Sequence, residues 1–136
     1  MTDRERELFD EILDWLIRDL PVAIYARLEE VPVVVEDEPP RHLLLQMGLD
    51  PRYQSLCGLH WGIPLTQRSV EHSGTLPDQI TLFRGPILAE AGWHARRRSQ
   101  EERMVQLTRQ IRITLLHEIG HHFGLGEDDL AALGYG

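Results

Sequence analysis

Three residues near the end of the sequence have the types and the spacing of a metal-dependent hydrolytic site. His117 and His121 are four residues apart, and Glu118 directly follows the first of them. On an α-helix this separation places two side chains on the same face, about 6 Å apart along the axis. Two imidazoles arranged in this way can each give one nitrogen to a single ion, while the adjacent glutamate reaches a water molecule on it. The pattern predicts two metal ligands and a general base.

A third protein ligand is expected just after this helix. Gly124 and Gly126 can adopt the positive φ that ends a helix, so that the acidic residues behind them can fold back toward the histidines. We expect Glu127 to complete a set of two histidines and one carboxylate, because a catalytic zinc takes three protein ligands and keeps its fourth position for water. Asp128 is the alternative ligand, whereas Asp129 is expected to cap the following turn.

Chance is a poor explanation of this pattern. A random sequence with the same 7 histidines among 136 residues would contain HExxH only about 0.03 times. The glycine and the acid that follow also fall where a metal site needs them. The simpler interpretation, in which these histidines are ordinary polar residues of a helix end, is therefore disfavoured.

The other histidines are expected to have structural roles. His122 is turned about 100° from its neighbour around the helix, which favours a hydrogen bond within the fold over binding the same metal. Surface or core positions are expected for the remaining four, namely His42, His60, His72 and His94. His60 and Trp61, in a predicted strand, are able to line a cleft. Tyr135 is a weak candidate for stabilising an oxyanion.

The elements that must position these residues can be read from the periodicity of apolar residues. Ser99 to Phe123 has the longest uninterrupted helical pattern, with Ser99 as N-cap and Glu102 completing a capping box. Apolar residues surround much of this helix, so it should be central and largely buried. An amphipathic helix is predicted from Asp3 to Leu20.

Short runs of β-forming residues between the two helices predict a small sheet. The predicted strands lie in VPVVVEDEPP, LHWGIPLTQRSV and DQITLFRGPIL, whereas RHLLLQMGLDPRYQSLCG is ambiguous. The order of elements predicts an α+β fold in which a small sheet packs on the last long helix. With 136 residues, 42% of them hydrophobic, the chain is expected to form a single domain over residues 1–136.

The amino-acid composition excludes some kinds of metal site and some classes of partner. The single cysteine, Cys57, cannot form an internal disulfide or a cysteine-rich zinc site, so a metal must be held by histidine and carboxylate. A net charge of −8 argues against nucleic acid as a partner, because nucleic-acid binders concentrate positive charge on one face. The amino terminus is charged and no long apolar run occurs, so we expect a soluble, cytoplasmic protein without a membrane partner.

The sequence resembles a known family over most of its second half. The segment HEIGHHFGLGEDDLAALG, preceded by GIPLTQRS and LPDQITLFRGPIL, is similar to the small bacterial zincin-like metallopeptidases, sometimes called minimal metalloproteases. The resemblance runs from about Leu59 to the C-terminus and more loosely over the N-terminal helix. Its specific part is HExxHxxG with an acid at the tenth residue after the first histidine.

This resemblance implies a zincin-like fold, in which a small mixed sheet packs on a central active-site helix beside an N-terminal helix. It also implies a zinc peptidase that hydrolyses peptide bonds of a peptide or protein substrate through a metal-activated water. His117 and His121 would be zinc ligands, Glu118 the base and Glu127 the third ligand. Family members usually carry Asp or Glu at that last position, and this sequence agrees with the pattern.

Two other function classes are compatible with parts of the pattern. Metal-dependent endoribonucleases of ribosomal RNA maturation also carry two histidines four residues apart, but they lack the glutamate after the first histidine and expose a basic cleft. A non-catalytic zincin-like module would use the metal only to hold the C-terminal turn. The complete set of base and ligands disfavours this second alternative. The sequence does not indicate an oligomeric state.

Overall fold

A computed structural model describes residues 1–61, 78–125 and 128–129 of the chain. The described residues form five helices and three strands in the order α1 (Asp3–Arg18), α2 (Val22–Arg27), β1 (Val33–Glu36), α3 (Arg41–Gln46), β2 (Gly58–Trp61), β3 (Gln79–Phe83), α4 (Arg84–Glu90) and α5 (Gln100–His122). The fold is α+β with a small mixed sheet, as the sequence predicts. No described helix has the length and apolar character needed to cross a membrane.

The sheet has β3 in its centre. Strand β1 pairs with β3 in parallel, and β2 pairs with β3 antiparallel, so the strand order is β1-β3-β2. In the second pairing His60 lies opposite Ile80. Residues two apart in a strand share a face, so Gly58 and His60 lie on the same side of the sheet as the buried Ile80 and Leu82. This side of the sheet faces α5.

Helix α5 is central, as its apolar pattern predicts. It contacts α1, α4, β2 and β3. The Ser99 hydroxyl accepts a hydrogen bond from the Glu102 backbone amide and so caps the helix. This hydrogen bond is one half of the predicted capping box. The Glu102 carboxylate also accepts a hydrogen bond from the Ser99 hydroxyl. A capping box with both halves occurs instead at the start of α1, between Thr2 and Glu5. The buried positions of α5 are Leu107, Ile111, Thr114, Leu115, Leu116, Glu118, Ile119, Gly120 and His122.

The core forms where α1, α4 and the sheet pack on α5. Residues that are fully buried there include Phe9, Ile80, Leu82, Ile87, Leu107, Ile111 and Leu115. Helix α1 contributes the amphipathic face that its sequence predicts, and it ends at Arg18, two residues before the predicted end.

One predicted strand is partly wrong. DQITLFRGPIL is a strand only from Gln79 to Phe83, and the chain continues directly as helix α4 from Arg84. Pro86 explains the change, because proline has no amide hydrogen to donate to a sheet ladder but is tolerated in the first turn of a helix. In LHWGIPLTQRSV the strand covers Gly58–Trp61, and residues 62–70 of that prediction lie outside the described part. The ambiguous segment contains the short helix α3.

Candidate metal centre

The C-terminal end of α5 brings the two predicted histidine ligands together. The rings of His117 and His121 lie with their centroids 4.5 Å apart, one helical turn from each other. His117 is half-buried and His121 is exposed, so the pair faces solvent at the rim of the core. Imidazole nitrogens presented in this way suit zinc. The observed geometry therefore agrees with the pairing expected from the spacing.

The helix ends immediately after this pair in the way its glycine predicts. Gly124 has φ 70°, its amide donates to the His121 carbonyl at 3.1 Å, and the Leu125 amide donates to the Gly120 carbonyl at 2.7 Å. These two bonds form a Schellman motif, which reverses the chain and satisfies carbonyls at the helix end. The chain is thus directed away from the helix just where a third ligand is expected.

The expected third ligand lies outside the part of the chain that the structure describes. This holds for Glu127 and also for Gly126 and Tyr135. Asp128 and Asp129 are described and are exposed. Neither belongs to a group of three or more metal-binding side chains within the described residues. The choice between Glu127 and Asp128 therefore stays a prediction.

Glu118, the expected base, lies in α5, and its side chain is buried against strand β2. Its exposed fraction is 6%. A backbone hydrogen bond from His60 reaches its carboxylate, and burial raises the pKa of this carboxyl, although His121 and His117 lower it in part. A carboxylate with a raised pKa is better suited to accept a proton near neutral pH.

Strand β2 approaches Glu118 closely because residue 58 is glycine. A methyl group on Gly58 would lie 2.9 Å from Thr114 Cγ2, 3.1 Å from Glu118 Cγ and 3.3 Å from Leu82 Cδ2. The first of these distances is too short for a carbon–carbon contact, for which about 3.5–4.0 Å is optimal. The absent side chain thus allows the strand to lie against the helix at the position of Glu118.

A second cluster of donor side chains lies next to this site. His60, Asp78 and His122 each offer one ligand atom, and within the described residues these atoms lie within 4.8 Å of one another. The Nδ1 atom of His122 is 3.4 Å from Oδ2 of Asp78. The His60 and His122 rings meet edge to face, with centroids 5.4 Å apart. The sequence predicts structural roles for His60 and His122, with His60 also able to line a cleft, and it predicts no role for Asp78.

A partial signal for this cluster exists in the sequence. His122 follows Ile119, Leu115 and Ile111 at the three- and four-residue spacing of the buried face of α5, so the periodicity predicts that it is buried. His42 and His94 are expected at surface or core positions, and the structure places both at the surface. Among the other expected histidines, His72 lies outside the described residues.

The sequence of the chain matches a known protein family whose fold agrees with the α+β architecture described above. Residues 28–136 match the profile of a family described as zincin-like metallopeptidase. This match covers strand β1 through α5 and extends to the C-terminus. No curated protein matches the sequence.

Proposed function

The chain belongs to the zincin-like metallopeptidase family, and we propose that it is a zinc-dependent peptidase that cleaves peptide bonds in a peptide or protein substrate. The observation that carries the proposal is the position of Glu118. This carboxylate is 6% exposed, its pKa is raised by burial, and it directly follows His117 at the solvent-facing edge of the core. This placement supports the proposal that Glu118 is a general base beside a pair of metal ligands.

His117 and His121 would hold the zinc, and we propose Glu127 as the third ligand. The paired imidazoles at 4.5 Å and a carboxylate form the donor set that catalytic zinc uses. A zinc ion in this site would supply a Lewis acid and would acidify water at neutral pH.

Glu118 carries out the proton transfers in this proposal. Its carboxylate takes a proton from the water that attacks the scissile carbonyl, and it then gives that proton to the leaving amine. The His60 amide holds the carboxylate in one orientation before the substrate arrives. The absence of a side chain at Gly58 keeps this amide close to the helix.

The proposed partners and location follow from composition. The net charge of −8 supports a peptide or protein substrate over a nucleic acid. We propose that the protein does not bind a membrane. The single thiol, Cys57, is free within the described residues, which supports a cytoplasmic location, where thiols stay reduced.

The test measures zinc content and peptide cleavage in parallel. Glu118→Gln should retain the zinc of the wild-type protein but lose activity on a fluorogenic peptide library by about 10²–10⁴-fold, the usual contribution of a general base. His117→Ala should lose both the activity and one equivalent of zinc. His42→Gln, at an exposed histidine far along the chain, is the matched control and should behave as wild type.

Two results would reject the proposal. Full activity in Glu118→Gln would exclude this residue as the base. A wild-type protein that binds zinc at His117 and cleaves no peptide in the library would indicate the non-catalytic zincin-like module instead.

A further inference from the structure

Three donor side chains outside the proposed catalytic set converge from three separate segments. His60 lies in β2, Asp78 directly precedes β3, and His122 is the last residue of α5. The register explains why the first two meet: His60 pairs with Ile80, and Asp78 is two residues before Ile80, so both side chains lie on the face turned toward α5. His122 reaches them from the buried face of the helix.

The separations in this cluster are close to those of a zinc site. Two ligands of a tetrahedral zinc at about 2.1 Å are about 3.4 Å from each other. The His122 Nδ1 to Asp78 Oδ2 distance is 3.4 Å, and the three ligand atoms lie within 4.8 Å of one another. An inward movement of at most about 1.4 Å by the most distant donor, within reach of a side-chain rotation, would complete the geometry.

Burial and charge also favour a cation here. Asp78 is 8% exposed and His122 is 1% exposed, while His60 is half-buried. Buried charges in proteins are paired or coordinate metals. A divalent ion here would be bound by two neutral imidazoles and one carboxylate, a donor set that suits zinc.

This cluster is distinct from the pair that holds the proposed catalytic metal. His121 is exposed, whereas the adjacent His122 is buried, because consecutive residues point about 100° apart around a helix. The two sites are nevertheless connected through β2. The His60 side chain belongs to the cluster, and its backbone donates to Glu118.

We propose that His60, Asp78 and His122 form a second zinc site, which fastens strand β2 and the start of β3 to the end of α5. The site holds the His60 amide against the Glu118 carboxylate. The second ion takes no part in proton transfer and acts through the position of the strand.

Metal stoichiometry tests this proposal without relying on activity. Purified protein is saturated with zinc, freed of excess metal and analysed for zinc per chain, with circular dichroism to establish that each variant is folded. Wild type should hold two equivalents. The double variant His117→Ala/His121→Ala should hold one, and Asp78→Asn and His60→Gln, each made alone, should also hold one. His42→Gln, at an exposed histidine, should hold two.

Cobalt substitution identifies which site is filled. In the His117→Ala/His121→Ala protein, Co²⁺ should give the visible absorption of a four-coordinate ion, and adding Asp78→Asn should remove it. Loss of a residue that only hydrogen-bonds to a metal ligand lowers metal affinity by about 10–100-fold. Asp78 is proposed to be a ligand itself, so we expect Asp78→Asn to lower the affinity of this site by more than that. Asn has nearly the shape of Asp, so the folded state should survive, and His60→Gln provides a second variant at a half-buried position.

The outcomes separate this proposal from the proposed function. If the His117→Ala/His121→Ala protein is folded and holds no zinc, the second site is rejected while the catalytic one stands. If wild type holds one zinc that is lost in Asp78→Asn and kept in His117→Ala/His121→Ala, the second site is supported and the proposed catalytic site fails. Two equivalents retained in both Asp78→Asn and His60→Gln would overturn the assignment of these ligands.

Discussion

The close approach of β2 to α5 makes a sharp prediction for Gly58→Ala. The added methyl would lie 2.9 Å from Thr114 Cγ2, at least about half an ångström inside the optimal carbon–carbon distance. Inserting a methyl into a packed core costs about 1–3 kcal/mol. Gly58 does not have positive φ, so alanine fits its backbone, and the lower entropy of the unfolded chain returns about 0.4–1 kcal/mol. We expect a net destabilisation of about 1–2 kcal/mol.

Urea unfolding of the metal-free protein, with a chelator present, measures this difference without a contribution from bound zinc. A second substitution identifies its cause. Thr114→Ser removes the Cγ2 methyl that the new side chain would meet, and it keeps the hydroxyl that donates to the Gln110 carbonyl at 2.8 Å. In the Thr114→Ser background Gly58→Ala should therefore cost less, with a coupling energy of at least about 0.5 kcal/mol in the double-mutant cycle.

Gly48→Ala is the matched control for this cycle. Gly48 has φ 76° and nothing within 4 Å of an added methyl, so alanine there is destabilising through backbone strain alone. Thr114→Ser should not change that cost. If Gly58→Ala were as stable as wild type, or if Thr114→Ser left its cost unchanged, the close packing of β2 on α5 would be refuted.

Two further predictions concern the third ligand and the single thiol. Glu127→Ala should lower zinc affinity severely and Asp128→Ala only slightly, as measured by zinc titration; the reverse order would move the ligand one residue along the chain. Burial raises the pKa of the Cys57 thiol to about 11 from an ordinary value of 9.0. Burial lowers the fraction of the reactive thiolate at pH 8, and the greater nucleophilicity of a high-pKa thiolate offsets only part of this loss. A disulfide reagent should therefore react about 10-fold more slowly with the folded protein than with the urea-unfolded chain, and equal rates would contradict the burial.

Helix α5 shows why part of the fold was predictable. Its N-cap, its long apolar periodicity and the glycine at its end are all local signals, and the helix runs from Gln100 to His122 as they indicate. Gly124 has the positive φ expected at the helix end. The strand-to-helix junction at Arg84 was not predicted, because the apolar residues that follow it suit either element and only Pro86 distinguishes them.

The cluster around Asp78 illustrates what local patterns could not show. Its three donors come from a strand, a loop and a helix, and they meet only through the antiparallel register of β2 with β3 and the packing of α5 on the sheet. No spacing within the sequence encodes that register. The proximity of His117 and His121 was predictable because one helical turn brings both side chains together.

The rotation of α5 about its own axis determines which histidine enters which site. Ile111, Leu115 and Ile119 lie at four-residue intervals with exposed fractions of 0%, 0% and 2%, and this apolar face fixes the helix against the core. His122 continues the face and is therefore buried, whereas His121 is turned outward beside His117. A rotation of the helix by about 100° would bring His121 into the buried position and turn His122 out of it. The packing of the apolar face therefore determines that His121 lies in the solvent-facing pair with His117, whereas His122 lies in the buried cluster with His60 and Asp78.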